Sequence, residues 1–259
     1  MRQHISFSEL KIWSECAFKH KLMYIDQVKN FLGNEHTAFG TAMHHVCEVM
    51  LTEDTKQDYD ELFNVKFLEE LTQLKNKNVQ LKSKLVNDMR GHSKNIISYI
   101  LPEVKKYFGK FSVVSVEEEL FEDLDECDLK FKGFIDLVIK TQDGKYHIID
   151  WKTCSWGWDS KRKADRITSY QLTLYKHFFA KKHDLDASNI ETHFALLKRT
   201  AKTNNVEIFK ITSGAKKTKN ALNLLNQSVY NIKNSRHVKN RLSCTAGYGC
   251  EFYKTKHCR

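Results

Sequence analysis

Hydrophobic and polar positions recur at two periods along this chain, and each period marks its own elements. Over residues 6–26 apolar side chains fall at helical spacing, at Leu10, Trp13, Ala17, Leu22 and Ile25, with Ser6 or Ser8 able to cap the start. Residues 37–51 repeat that period and predict a second helix, on which His44 and Glu48 are one turn apart and share a face. Two more helices are expected around 58–75 and 82–108, in a lysine-rich region containing Lys75, Lys77, Lys82 and Lys84. A run of that kind is expected to be a solvated face, with a lid or DNA-facing insert as the alternative. The period then drops to two. Strands are predicted at 112–122, in a hairpin over 132–152, at 190–198 and at 204–211, with helices at 164–182 and 215–235.

The hairpin KGFIDLVIKTQDGKYHIIDWK, Lys132 to Lys152, carries the chemistry. Asp143-Gly144 marks its turn. A three-residue loop, Gln142 to Gly144 with Gly144 left-handed, puts Thr141 opposite Lys145 and therefore Asp136 opposite Asp150. Lys152 then points to the same side as Asp150, while Ile135, Leu137, Ile139, Ile149 and Trp151 form a core face. A two-residue loop would send the two aspartates to opposite faces. Opposed carboxylates destabilise a sheet, and a divalent cation held between them removes that penalty. Mg²⁺ favours such a site, completed by waters and phosphate oxygens. Among Glu117, Glu118 and Glu119 a further acidic ligand could face the site, and the pattern does not say which.

Composition narrows the partners. The 259 residues are 41% hydrophobic and 29% charged, as in a globular protein. The net charge of +10 points to a polyanion, nucleic acid or an anionic membrane, with solubility alone as the plainer reading. No apolar run approaches the roughly 20 residues that span a bilayer, and no signal-peptide pattern opens the chain, so a cytoplasmic setting without membrane association is expected. Seven cysteines, an odd number, argue against a disulfide framework. Cys127 reads as structural. The single proline, Pro102, leaves no Pro-rich linker, and one domain over 1–259 is expected, with a helical insert at about 53–108.

Gly133-Phe-Ile-Asp136 followed by Asp150-Trp-Lys152 resembles the core of the PD-(D/E)XK nucleases. Gly40-Thr-Ala-Met-His44 upstream and Gln171-Leu-Thr-Leu-Tyr175 downstream resemble the RecB-like branch of that superfamily. The resemblance covers roughly residues 5–180. It implies an α/β restriction-endonuclease-like core, α-β-β-β-α-β, with a mixed central sheet flanked by helices. It implies Mg²⁺ or Mn²⁺ held by His44, Asp136, Asp150 and the Trp151 backbone carbonyl. Lys152 would act on the attacking water, and Gln171 and Tyr175 would orient the scissile phosphate. The activity implied is exonucleolytic, on DNA ends or single strands. Recombination, repair or phage DNA processing in a bacterial or phage-infected cell is the implied setting, with a recombination or replication protein as a candidate partner.

Two further features follow the hairpin. Trp156 and Trp158, then Lys161, Arg162 and Lys163, interleave rings and cations as single-stranded nucleic acid requires. The alternative is that one tryptophan caps the core. In the tail, 240–259, Cys244, Cys250 and Cys258 cluster. With Cys16 they resemble the four ligands of a [4Fe–4S] cluster in the iron–sulfur branch of these nucleases, although Ala17 stands where that branch usually has proline. Four thiolates suit such a cluster, and zinc is the competing ion, with His257 nearby. Two rival functions remain open at this point: a non-catalytic nucleic-acid-binding accessory, and a thiol-ligated metal or redox sensor.

Overall fold

The computed structural model describes all residues except 1–2, 29–30, 53–56, 125–127 and 248, so Cys127 lies outside the described residues. The chain divides into two compact units, Met1–Phe31 with Leu120–Gly133 and Ala215–Arg259, and Leu32–Glu119 with Phe134–Gly214. No helix among the described residues is long and apolar enough to cross a membrane.

The first unit opens with β1 (His4–Ser6) and α1 (Phe7–Glu15). Ser6 caps α1, its hydroxyl accepting from the Glu9 N–H. The helix expected to run unbroken over 6–26 stops at Cys16, whose backbone is extended (φ −164°, ψ 114°). It resumes as α2 (Ala17–His20) and ends in a π-turn, Lys21–Ile25. β1 pairs in parallel with the opening residues of β3 (Lys130–Thr141), Ile5 opposite Phe131.

The second unit holds the catalytic candidates. Three helices come first: α3 (Glu35–Thr52), α4 (Tyr59–Asn76) and α5 (Ser83–Phe108), followed by β2 (Phe111–Asp123), which pairs with β3. The predicted boundaries hold within two residues because each stripe is strict. Ala38, Phe39, Ala42, Met43, Val46 and Met50 of α3 pack with Phe63, Phe67, Leu71 and Leu74 of α4 and Met89, Ile96, Ile100 and Val104 of α5. Helices α4 and α5 are thus core elements on one side, while Lys75, Lys77, Lys82 and Lys84 on the other are exposed, as a solvated face requires.

Strand β3 is antiparallel to β4 (Tyr146–Cys154), β4 is parallel to β5 (Ile190–Lys198), and β5 is antiparallel to β6 (Val206–Ile211), giving a mixed sheet. A parallel pair needs a crossover, and α6 (Ser160–Lys163) with α7 (Arg166–His183) supply it between β4 and β5. Leu137, Ile139, Ile149 and Trp151 enter the same core as α3 to α5, together with Ala195 and Leu197. The fold is α/β, a mixed sheet with flanking helices. The last helix, α8 (Ala215–Lys233), and the tail belong to the first unit.

Candidate active site

The hairpin register decides which side chains meet. The Thr141 N–H donates to the Lys145 carbonyl at 3.0 Å, the Gly144 N–H closes the turn onto the Thr141 carbonyl, and Gly144 has φ +84°. Pairing then runs Lys140 to Tyr146, Ile139 to His147, Val138 to Ile148 and Leu137 to Ile149. One step further in this register stand Asp136 and Asp150. The three-residue loop, not the two-residue one, is therefore the loop adopted, and both acids lie on the side away from the Leu137 and Ile149 core.

Three ligand atoms, one each from His44, Glu117 and Asp136, lie within 4.8 Å of one another. His44 sits at the margin of the buried stripe of α3 and brings Nδ1 to 3.6 Å from Asp136 Oδ2. Gly40, one turn earlier, lets α3 approach β4, since a Cβ there would sit 3.4 Å from Thr153 Oγ1. The Trp151 N–H donates to Asp136 Oδ2 at 2.7 Å, and His44 is hydrogen-bonded to the Trp151 backbone. Glu117 could not be singled out from its neighbours because strict alternation fails at this point. Its φ of +44° is a left-handed kink within β2, and the alternation of burial along the strand slips by one residue there. Glu118 goes elsewhere, to Lys182 at 2.8 Å and to His183 at 2.6 Å.

Asp150 is 1% exposed and is held by two groups. Lys152 Nζ lies 2.6 Å from its Oδ2, and Gln171 Nε2 donates to its Oδ1 at 2.7 Å. Gln171 Nε2 also lies 3.2 Å from the Tyr175 hydroxyl, one turn along α7. The Gln171 amide thus meets the Asp150 carboxylate.

Electrostatics fit a cation. Burial, then the charge of Asp150, push the Asp136 carboxyl well above its ordinary range. Burial and the charges of Glu48 and Asp150 raise Glu117 as well. Burial lowers His44, so its imidazole is neutral and its lone pair available. Burial raises Tyr175, which keeps its O–H at any working pH. Two carboxylates raised by a third, beside a neutral imidazole, are a donor set that a hard divalent ion would stabilise.

A model of the PD-(D/E)XK nuclease superfamily matches residues 4–259. The chain belongs to this superfamily. Among solved structures, a protein from Eubacterium rectale bearing the name "Putative exonuclease" is similar at a TM-score of 0.58 and 12% identity, over 94% of this chain and 86% of that one; the likeness concerns the fold. The structure of SSO0001 is 15% identical over 75% of this chain and 86% of that one, with a TM-score of 0.35, too low to support an argument. No curated protein matches the sequence significantly. Members of the superfamily generally use divalent metals, and His44, Glu117 and Asp136 are a candidate set to hold one.

The loop after β4 separates the interleaved residues. Gly157, at φ +121°, turns the chain so that Trp156 is 78% exposed while Trp158 is 8% exposed. Trp158 packs on Phe194 and Phe209 with ring centroids at 5.1 and 6.1 Å. This tryptophan caps the core, and its ring is not offered to a base. Lys163 is ion-paired to Glu207, and the Arg162 guanidinium lies 4.6 Å from the Trp158 ring centre. Trp156, Lys161 and Arg162 are exposed.

In the first unit, Cys16, Cys244, Cys250 and Cys258 all line one cavity of about 80 Å³, with Phe18, Leu22 and Phe252. All four are free thiols. The Asn240 N–H donates to Cys16 Sγ at 3.3 Å, and the Cys250 N–H meets the Cys244 carbonyl at 2.9 Å. The kink at Cys16 is what lets this sulfur meet the returning tail.

Proposed function

We propose that this superfamily member is a Mg²⁺- or Mn²⁺-dependent deoxyribonuclease of the RecB-like kind, trimming DNA ends or single strands. The observation that carries the reading is the convergence of His44, Glu117 and Asp136 beside an Asp150–Lys152 pair at 2.6 Å. His44, Glu117, Asp136, Asp150 and the Trp151 carbonyl would hold the ion. Bound there, it would supply Lewis acidity toward water and a phosphate oxygen, and charge to offset the developing phosphorane. Lys152 donates hydrogen bonds that hold the attacking water; its ammonium gives a proton to the leaving oxygen and recovers one from the water that has attacked. Gln171 fixes the Asp150 carboxylate in one orientation, and Tyr175 fixes Gln171. The exposed Trp156 offers a stacking face, and Lys161 with Arg162 offers charge to a single strand.

We further propose that the four cysteines hold a [4Fe–4S] cluster which staples Cys16 to the chain end and takes no part in cleavage. Support comes from four free thiols around one cavity and from an N–H donated to a ligand sulfur. Anaerobically purified protein should hold about four iron and about four sulfide per chain, with a visible absorbance that dithionite bleaches. Zinc in place of iron would overturn this assignment and leave the nuclease reading untouched. For the nuclease itself, wild-type protein should shorten end-labelled DNA with Mn²⁺ and stop on addition of EDTA.

A further inference from the structure

A second cluster of metal-ligating side chains lies outside the site described above. His147 on β4 is the ladder partner of Glu191 on β5, and His193 is two residues further along β5 on the same face. His147 and Asp150 are three residues apart on one strand, so they lie on opposite faces of the sheet.

The three side chains converge on one point. His147 Nδ1 is 3.1 Å from His193 Nε2, and Glu191 Oε2 is 3.9 Å from the former and 4.0 Å from the latter. A tetrahedral ion with bonds of about 2.0–2.1 Å separates its ligand atoms by about 3.3 Å, so the imidazoles are nearly in place and Glu191 Oε2 has to move in by about 0.6–0.7 Å. The carboxylate is divided between two tasks. Oε1 meets Lys210 at 2.7 Å and Lys145 at 3.4 Å, while Oε2 faces the imidazoles.

The surroundings fix the rings. His147 Nε2 lies 3.0 Å from Thr141 Oγ1, whose own hydroxyl donates to Asp143. The threonine oxygen can therefore accept from the His147 Nε2–H, which leaves the Nδ1 lone pair facing His193. An outer partner of this kind selects the tautomer of a metal-binding histidine. Tyr107 and Phe108, at the end of α5, cover the rings, with Phe108 centroids 5.1 and 5.0 Å from His147 and His193. His193 is 1% exposed and His147 7%, and the Glu191 side chain, 19% exposed, provides the way in. Burial keeps both imidazoles uncharged, with His193 pushed down to about 3.

We propose that His147, Glu191 and His193 bind a first-row transition-metal ion of the zinc class, which clasps β4 to β5 on the face opposite the catalytic carboxylates. Two imidazoles and one carboxylate suit Zn²⁺, Co²⁺ or Ni²⁺ and disfavour Mg²⁺, which takes oxygen ligands. The proposal is independent of the nuclease reading.

Cobalt is the probe. Asp136→Asn protein, with the catalytic ligand set disrupted, is titrated with Co²⁺ and followed by visible d–d absorption. One equivalent should bind without a thiolate charge-transfer band. Adding Glu191→Gln or His147→Gln should weaken binding at least tenfold, the lower end of the roughly 10–100-fold scale for losses around a metal site. Zn²⁺ should raise the Tm of the Asp136→Asn chain and not of the double variants. Glu191→Gln keeps side-chain volume at a largely covered position, so circular dichroism should show it folded. Cobalt binding that is absent, or carried by thiolates, or unchanged by both second substitutions, would overturn the proposal.

Discussion

Asp136 is largely covered beside a second carboxylate, and burial with the charge of Asp150 disfavours its ionised form. Asp136→Asn should therefore leave the metal-free protein as stable as wild type or stabler by about 1 kcal/mol, the scale of an opposed like-charge pair. The amide oxygen can still accept the Trp151 N–H. Thermal unfolding in EDTA checks this, and a drop of several degrees would count against it. Lys152→Ala should lower the cleavage rate by about 10²–10⁴-fold, the usual contribution of a positioned proton-transfer group. Gln171→Ala, which frees Asp150 to rotate, should cost about 10–100-fold. Single-turnover rates at saturating Mn²⁺ separate these from a loss of ion affinity.

Elements carry the site through register. Gly144 adopts a left-handed conformation that costs another residue about 1–2 kcal/mol, so Gly144→Ala should lower stability by that amount and spare catalysis. Deleting Gln142 would force a two-residue loop and turn Asp136 away from Asp150. The deletion variant should lose cleavage out of proportion to its loss of stability, measured by urea unfolding beside the rate assay. The kinked strand β2 is tied to α7 by Glu118. Burial alone would raise that carboxyl, but hydrogen bonds from Lys182, Ser115 and His183 outweigh it and leave the group below its ordinary value. A depressed folded value contributes stability above the unfolded value and loses it as pH falls through the folded one. With both partners part exposed, Glu118→Gln should cost about 1 kcal/mol at neutral pH, and the difference should shrink as pH falls below the ordinary glutamate range.

At the scale of the whole molecule, the parts legible in the sequence were those with one strong period. The helices and the β3–β4 hairpin could be placed because apolar spacing and an Asp-Gly turn allow few alternatives. Glu117 was not legible, because a left-handed residue inside a strand breaks the alternation that a reader must assume. Trp158 was one of two tryptophans with equal claim to solvent, and the turn at Gly157, not composition, sends it inward. The break at Cys16 was hidden for the same reason: a helical period continues through it, while the backbone opens to bring the sulfur toward the tail. The His147, Glu191 and His193 cluster was missed because its members lie on two strands 44 residues or more apart, joined only by a parallel ladder. The net charge of +10 belongs to this scale too. DNA affinity should fall steeply with salt, by about 0.9 log units per contacted phosphate for each tenfold rise in salt. A fluorescence-anisotropy titration in Ca²⁺, with the salt varied, reads that slope.

The central claim is that a bulged turn gathers Asp136, Asp150 and Lys152 around a divalent ion able to cut a phosphodiester. Incubating end-labelled single- and double-stranded DNA with Mn²⁺, and with wild-type, Asp150→Ala or Lys152→Ala protein, tests it most directly. Wild type should give products that shorten with time, and both variants should match the EDTA control. Degradation by either variant at the wild-type rate would contradict the account.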